Sequence, residues 1–361
     1  MLYYRIDSST YHALGWLFAA GVIVVSVGSI NMDSNGAAFN SDHSVSLTTR
    51  LWRGLLCRLF GSGWPAALGY RLGFQRRVVC REHRLTLTTH RAAARELRIA
   101  FAADFHAGPT THRRVLQQAC AALAAAEADV LLLGGDFVSL RADFVDELTD
   151  MLAEIPAPLG KFAVMGNHDI WADRHYITRA LEQAGVQVLV NRNVQLAAPY
   201  EDFWICGLDD HLLGRPDAAS AIHGADGHRI VLMHSPSGLV DLGNNAFDLA
   251  LCGHTHGGQI ALPGGRPIVV PRGPLCRQYA AGRFELDPQQ VDSQRRVMIV
   301  SRGVGCSTLP LRIFSDPEVM VCQLVGMLET QEQVPAAAAL PVETLPVEAF
   351  PIPDSLGAGA V

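Results

Sequence analysis

The chain has 361 residues, of which 49% are hydrophobic and 18% charged, and a net charge of −6. This composition excludes a wholly disordered protein, because enough apolar residues are present to bury the core of one large domain or two ordinary ones. The eight cysteines form no CxxC pair and several lie in apolar runs, which favours free thiols in a reducing compartment. Their even number leaves a disulfide framework open as the alternative.

The N-terminal region contains a long uncharged stretch. Residues 8–32 include no Asp, Glu, Lys or Arg, and eighteen of them form a mostly apolar run. A helix needs ~20 such residues to span a bilayer. We therefore expect an uncleaved hydrophobic anchor helix within residues 1–35. A cleaved signal peptide is the alternative, but only Arg5 supplies positive charge before the run and no convincing cleavage site follows it.

The next segment is strongly basic. Residues 50–99 carry eleven arginines and two glutamates, and Trp, Leu and Phe alternate with Arg in the first half of this stretch. This pattern predicts a basic amphipathic segment, residues 36–95, on an anionic membrane surface. A linker that packs its apolar face on the following domain is the alternative. No nucleic-acid-binding motif accompanies the charge, so nucleic acid is not an expected partner.

From residue 97 onward, short apolar runs alternate with helical stretches. Runs that are apolar at nearly every position are typical of strands covered on both faces, and the intervening stretches are long enough for crossover helices. We predict an α/β domain over residues 96–328, with mixed sheets because Gly/Pro-rich connections join the later strands. Residues 329–361, rich in Pro and Ala, are predicted to form a flexible tail. The predicted strands are 97–104, 130–136, 161–169, 203–207, 229–233, 247–252, 296–301 and 318–324, with helices over 111–127 and 141–153.

Potential metal ligands follow five of these runs. The carboxyl ends of strands in an open α/β sheet form one crevice, so we expect the five loops to converge. Two carboxylates, an amide and four imidazoles are more donors than one tetrahedral ion uses, and they suit Zn, Fe or Mn. Two such ions ~3.5–4 Å apart form a clamp for phosphoryl transfer. The segments "AADFHAG", "LLGGDFV", "VMGNHDIW", "VLMHSP" and "ALCGHTHGGQ" supply Asp104, His106, Asp136, Asn167, His168, Asp169, His234, His254 and His256.

Each of these residues has an ordinary structural explanation when considered alone. A single histidine at a strand end, such as His234, is more often structural, and Asp104 or Asp136 could cap a helix. The ordered set of D-x-H, G-D, G-N-H-D, H and G-H-x-H, each after an apolar run, is what favours a metal centre.

This ordered set resembles the calcineurin-like metallophosphoesterase superfamily over residues 97–325. "GHTHGGQI", "GLDDHLLG" and "SRGVG…LPLRIFSDPEV" are similar to its bacterial membrane-associated branch, the YkuE/YaeI type, and to the chlamydial UDP-2,3-diacylglucosamine hydrolase. The resemblance implies a four-layer α/β/β/α sandwich. It also implies that a metal-bridging hydroxide hydrolyses a phosphodiester or pyrophosphate bond.

The resemblance further implies roles for single residues. Asp136 would bridge the two metals, and His168 would bind the phosphate and assist the leaving group, with Asp169 orienting His168. Arg312 is a candidate for binding phosphate, with a surface arginine as the alternative. The first metal would be held by Asp104, His106 and His256, and the second by Asn167, His234 and His254.

The expected substrate is a lipid-linked phosphate ester at the membrane, either a phospholipid or a compound of the UDP-2,3-diacylglucosamine type. A tethered phosphodiesterase for soluble substrates is the alternative. A non-catalytic metal-binding scaffold is disfavoured, because no ligand position is substituted. The arginines after the hydrophobic run favour the inner membrane with a cytoplasmic catalytic domain, and a periplasmic domain is the alternative. No obligatory protein partner is expected.

Overall fold

The computed structural model describes Gly54 and residues 57–75, 77–89, 96–286 and 296–328. The predicted anchor helix and the predicted flexible tail lie outside the described residues. Within the described ranges, no helix is both long enough and apolar enough to cross a membrane. The elements described below belong to the unit Cys57–Val361.

Helices and strands alternate along most of this unit. The helices are α1 (Trp64–Arg71), α2 (Arg113–Ala125), α3 (Val145–Ala153), α4 (Asn167–Gln183), α5 (Ala218–Ile222) and α6 (Gly238–Leu242), with short 3-10 helices at Ala142–Phe144 and His256–Gly258. The strands are β1 (Val79–Thr89), β2 (Leu97–Ala102), β3 (Val130–Leu133), β4 (Lys161–Ala163), β5 (Val186–Val188), β6 (Arg192–Gln195), β7 (Phe203–Gly207), β8 (His228–Leu232), β9 (Leu249–Cys252), β10 (Gly282–Leu286), β11 (Arg296–Val300) and β12 (Glu318–Leu328).

The strands form two six-stranded sheets. The first has the order β1-β12-β2-β3-β4-β5, in which only the β12–β2 pair is antiparallel. The second has the order β10-β11-β9-β8-β7-β6, with parallel pairing from β11 to β7 and antiparallel pairing at both edges. Both sheets are therefore mixed, as the Gly/Pro-rich connections predicted.

Alternate residues of the central strands enter different cores. In β2, Ala100 packs with helices α2 to α4, whereas Ile99 and Phe101 pack between the two sheets. In β9, Leu251 faces the core between the sheets and Ala250 faces the core that includes α5 and α6. Because successive strand residues point to opposite faces, a run that is apolar throughout can cover both faces of a sheet. The result is a helix, sheet, sheet, helix order of layers.

Strand β1 corrects the domain boundary expected at residue 96. It lies within the segment predicted to be juxtamembrane, yet it pairs in parallel with β12 along its whole length, from Val79 with Glu318 to Thr89 with Leu328. Its apolar residues Leu85 and Leu87 are buried in the core between the sheets. Arginine and glutamate side chains interrupt the apolar alternation in the first half of the strand, and this hid the strand in the sequence.

The segment before β1 also packs on the α/β domain, through the buried side chain of Gln75. Its Nε2 donates hydrogen bonds to the carbonyl oxygens of Thr110 (2.9 Å) and Pro310 (2.5 Å). Its Oε1 accepts a hydrogen bond from the backbone N–H of His112 at 3.0 Å. One side chain thus satisfies three backbone groups of two separate loops, which fastens the end of the α1 segment to the domain.

Replacing Gln75 with leucine keeps the side-chain volume and removes all three hydrogen bonds. A buried polar group left unsatisfied costs ~1–3 kcal/mol, so we expect Gln75→Leu to lower the free energy of unfolding by ~2–4 kcal/mol in urea denaturation. Gln187→Leu, on an exposed position of β5, is the matched control and should change stability by less than ~0.5 kcal/mol. Equal stability of the two variants would contradict the fastening role of Gln75.

Candidate metal centre

In the first sheet, polar side chains follow three neighbouring parallel strands, β2, β3 and β4, at the same edge of the sheet. Asp104 and His106 follow β2, Asp136 follows β3, and Asn167 follows β4 as the first residue of α4. The carboxyl ends of parallel strands meet at the same edge, so these loops are neighbours in space. Backbone hydrogen bonds join them directly, from the Asp104 N–H to Gly135 O and from the His106 N–H to Asp136 O.

In the second sheet, histidines follow two neighbouring parallel strands in the same way. His234 comes two residues after β8, and His254 comes two residues after β9, its parallel neighbour. The turn continues from His254 to His256 at the start of a 3-10 helix. The backbone N–H of His254 donates to the carboxylate of Asp104 at 2.9 Å, which links the two sheets at the centre.

One group of donors surrounds the Nε2 atom of His106. This atom lies 3.0 Å from Nε2 of His256 and 3.5 Å from Oδ2 of Asp136. Nε2 of His256 lies 3.7 Å from Oδ1 of Asp104. Ligand atoms ~2.0–2.2 Å from a zinc-sized ion are separated from one another by about 3–3.5 Å, so these spacings suit a shared cation.

A second group surrounds the Nε2 atom of His234. It lies 3.3 Å from Oδ2 of Asp136, 3.2 Å from Oδ1 of Asn167 and 3.2 Å from Nδ1 of His254. The same oxygen of Asp136 therefore faces both groups. The structure brings together all seven side chains that the sequence proposes as metal ligands, in the two sets and with the shared carboxylate that the resemblance implies.

Backbone carbonyls fix which ring nitrogen of two histidines faces the centre. Nδ1 of His234 lies 2.8 Å from Gly134 O, and Nε2 of His254 lies 3.3 Å from Arg272 O. A carbonyl accepts a hydrogen bond only from a protonated nitrogen, so the lone pair of each neutral ring lies on the other nitrogen, which faces the centre. Metal-binding histidines commonly have this arrangement.

Burial and the acidic side chains set the charges at the centre. Burial opposes ionisation of Asp136, but the charges of His234 and His168 hold its pKa well below the usual range. Burial alone would lower the pKa of His234, but Asp136 raises it well above its usual value. Burial raises the pKa of Asp104 to about 7 and lowers that of His254 to about 3. The centre thus combines imidazoles with carboxylates that attract positive charge, a donor set that fits divalent transition metals.

Five of the candidate ligands have left-handed backbone conformations. Among the described residues, nine non-glycine residues have a positive φ, and five of the nine belong to this centre. Such conformations cost ~1–3 kcal/mol each and concentrate at functional sites. The five are Asp104 (φ 55°), His106 (43°), Asp136 (54°), His254 (70°) and His256 (54°).

Two glycines allow the loops to approach the carboxylates. A Cβ atom on Gly166 would lie 2.2 Å from Oδ1 of Asp136, and one on Gly253 would lie 2.3 Å from Oδ2 of Asp104. Any larger residue at either position would displace a candidate ligand, so glycine is required here for space.

His168 is half-buried, and its ring contacts the imidazole of His106 in the first group of donors, with 4.7 Å between the ring centroids. Its backbone N–H donates to Oδ1 of Asp136 at 2.8 Å, and its Nδ1 lies 2.8 Å from the carbonyl oxygen of Ser139. Ser139 also donates from Oγ to His106 O at 2.9 Å. The sequence did not reveal Ser139, because a backbone carbonyl can come from any residue type and leaves no signal in a motif.

The structure corrects the role expected for Asp169. Its carboxylate does not orient His168 but accepts hydrogen bonds from the backbone N–H groups of Asp136 (2.7 Å), Phe137 (2.8 Å) and Gly166 (2.9 Å). Asp169 is the third residue of α4, where an acidic side chain turns back towards the helix start. Asp169 therefore holds the loop that carries Asp136.

The structure also corrects the role expected for Arg312. This side chain is 5% exposed, and its guanidinium donates to the carbonyl oxygens of Gly305 (2.9 Å) and Ser315 (3.2 Å). Its Nη2 lies 3.2 Å from Nδ1 of His256. These contacts turn the guanidinium into the protein, so Arg312 positions His256 and does not extend towards a phosphate.

We expect Asp169→Asn to weaken metal retention as well as turnover. The amide places a donor against the N–H groups of the Asp136 loop, and losing hydrogen bonds to a charged group costs ~1.5–3 kcal/mol. Elemental analysis and thermal unfolding measure the two effects, with the exposed Asp150→Asn as the matched control. If metal content and stability stayed normal while turnover alone fell, Asp169 would instead act through His168.

The chain is similar to proteins with the same domain. A protein-family model described as calcineurin-like phosphoesterase matches residues 97–258 of the sequence. "Phosphodiesterase YaeI" of Escherichia coli is 31% identical over 281 residues, which cover 74% of this chain and 98% of that protein. An uncharacterized metallophosphoesterase of Aquifex aeolicus is 31% identical over 240 residues, 64% of this chain and 86% of that protein. Uncharacterized metallophosphoesterase YkuE of Bacillus subtilis is 29% identical over 202 residues, which cover 54% of this chain and 68% of that protein. The family predicted from the ordered donors is confirmed: the chain belongs to the calcineurin-like metallophosphoesterases.

Proposed function

We propose that this metallophosphoesterase hydrolyses a phosphodiester or pyrophosphate bond with the help of two transition-metal ions. The observation that carries the proposal is the position of Asp136. Its Oδ2 lies 3.5 Å from Nε2 of His106 and 3.3 Å from Nε2 of His234, and these two imidazoles belong to different groups of donors. A carboxylate shared in this way is what two adjacent cations require.

The donor set fits this pair of ions. Mn, Fe and Zn all accept mixed carboxylate, amide and imidazole ligands, so the metal is proposed only within that group. When bound, the pair supplies positive charge to the phosphate oxygens and lowers the pKa of a coordinated water. Asp104, His106 and His256 would hold one ion, and Asn167, His234 and His254 the other, with Asp136 shared.

His168 is the candidate proton donor. Its Nδ1 donates to the Ser139 carbonyl, which fixes the ring and leaves Nε2 to meet the substrate. A proton on Nε2 would bind a phosphate oxygen and then pass to the leaving alkoxide, a step that contributes ~10²–10⁴-fold to rates in other enzymes. Asp169 assists indirectly, because it holds the Asp136 loop to which the backbone of His168 is bonded.

The proposed substrate is lipid-linked, a phospholipid or a compound of the UDP-2,3-diacylglucosamine type, cleaved at the membrane. The uncharged stretch at residues 8–32 and the six arginines of residues 50–77, which precede β1, support this proposal. The eight cysteines are all free, which supports a reducing cytoplasmic side of the inner membrane. The second candidate is a tethered phosphodiesterase for soluble substrates, in which case a small diester would be cleaved as readily as a lipid.

Removal of the shared carboxylate tests the metal pair. Freshly purified protein should contain about two transition-metal ions per chain by elemental analysis, and Asp136→Ala should contain fewer than one. Chelation should abolish hydrolysis of bis-p-nitrophenyl phosphate, and added Mn should restore it. The exposed Asp150→Ala is the control and should retain metal and activity. Metal-free wild-type protein with activity that resists chelators would refute the proposal.

Leaving groups of different basicity test His168. For a phosphodiester with an alkyl leaving group, His168→Ala should lower kcat by ~10²–10⁴-fold, because the alkoxide must receive a proton. For a p-nitrophenyl leaving group, which departs without a proton, the loss should be much smaller. Metal content should stay normal in this variant, and His175→Ala on the exposed side of α4 is the matched control. An equal decrease in kcat for both leaving groups would show that His168 is not the proton donor.

A further inference from the structure

Exposed apolar side chains are concentrated in three segments of the chain. Ten large hydrophobic residues are strongly exposed among the described residues, and eight of them lie in residues 57–75, 260–272 and 309–314. Trp64 is 55% exposed, Ile268 51% and Phe314 56%. Single exposed apolar residues are normal on soluble proteins, but a contiguous group marks an interaction surface.

The three segments are neighbours in space. The backbone N–H of Arg312 donates to Phe74 O at 3.1 Å, which joins the end of the α1 segment to the third segment. The Ala261 N–H donates to Ile313 O at 2.8 Å, which joins the second segment to the third. We call the surface formed by residues 57–75, 260–272 and 309–314 the apolar rim.

The apolar rim is built on the loops of the metal centre. A Cβ atom on Gly258, two residues after His256, would lie 2.4 Å from the side chain of Pro267. Arg272 O is the carbonyl beside Nε2 of His254, and Arg312 contacts His256. A molecule that lay against the rim would therefore lie next to the candidate ligands.

The rim is basic although the whole chain is acidic. Residues 57–77, 253–284 and 302–315 contain no Asp or Glu, and Asp316 is the first acidic residue beyond the third of these ranges. Exposed arginines accompany the apolar residues: Arg58 and Arg266 lie in the rim, and Arg77 and Arg277 lie a few residues beyond its segments. Apolar side chains interspersed with arginine are the composition that binds the interface of an anionic bilayer.

We infer that the apolar rim is a docking surface for a bilayer that contains anionic lipids. The apolar side chains insert among the lipid chains near the headgroups, and the arginines pair with lipid phosphates. The inference rests on the proposed function for its purpose, since docking would bring a lipid-linked phosphate ester to the metal centre without removing its chains from the membrane. The surface itself is argued from exposure, adjacency and charge alone.

Hydrogen exchange on the full-length protein tests the surface directly. The protein is reconstituted into vesicles of phosphatidylcholine alone, or of phosphatidylcholine and phosphatidylglycerol at a ratio of about 7:3. Because the N-terminal residues are present in both samples, a difference between them reports the effect of anionic lipid. We expect amides of the apolar rim to exchange roughly tenfold more slowly in the anionic vesicles, and this protection to weaken in high salt.

A rim variant and a matched control complete the test. The triple variant Leu68→Ser, Ile268→Ser and Phe314→Ser should lose the protection caused by anionic lipid. Val190→Ser with Val240→Ser should keep it; of the large apolar residues that the structure describes, these are the two strongly exposed ones outside the rim. Both variants should hydrolyse bis-p-nitrophenyl phosphate like the wild type, which reports the proposed function separately and shows that the fold is intact.

Two results would overturn the inference. One is unchanged exchange of the apolar rim in anionic vesicles, or unchanged protection in the triple variant. The other is protection of the rim without lipid that grows with protein concentration, because a second copy of the chain would then cover it. A wild-type protein that docked but cleaved no phosphate ester would instead refute the proposed function and leave the docking surface standing.

Discussion

The fold depends on one constraint, which is to hold the buried carboxylate of Asp136 between imidazoles from two sheets. A buried charge is costly unless positive or polar groups surround it. His234 comes from the second sheet and His106 from the first, and each brings a ring nitrogen within 3.5 Å of the same oxygen. The two sheets must therefore keep a fixed separation, which the apolar core between them provides.

The same constraint explains where the backbone is strained. Asp136 lies three residues after the end of β3 and has φ 54°, in the left-handed region. Asp169 compensates, since its carboxylate accepts hydrogen bonds from three consecutive N–H groups of that turn, those of Asp136, Phe137 and Val138. The start of α4 thus stabilises the loop, while Asn167 on the same turn supplies an amide to the centre. Asp169, which supports the loop, and Asn167, the candidate ligand, therefore lie within three consecutive residues of the chain.

The sequence predicts those features that depend on local order. Nearly continuous apolar runs predicted most of the strands, and the Gly/Pro-rich connections predicted that the sheets are mixed. Polar residues at the strand ends predicted which side chains would meet, because the parallel pairing places their carboxyl ends together. Side-chain direction was not predictable. Asp169 and Arg312 carry the right chemistry for the roles expected of them, but their partners are backbone groups of distant loops. Strand β1 was missed for a similar reason, since Arg81 contributes charge to the strand and finds its partner, Glu318, only in the folded sheet.

Hydrogen bonds connect the apolar rim to the loops of the metal centre, so a movement of one would also move the other. Gln259 follows the turn of His256, and its Nε2 donates to the carbonyl oxygens of Leu309 (2.8 Å) and Leu311 (3.1 Å), so one side chain connects the histidine loop to the rim. Arg312 connects them again, with its backbone N–H on Phe74 O and its guanidinium near His256. A surface that moved on meeting a bilayer would therefore pull on a candidate ligand. Two independent connections resist that motion, which favours a preformed rim that docks without rearranging the metal centre.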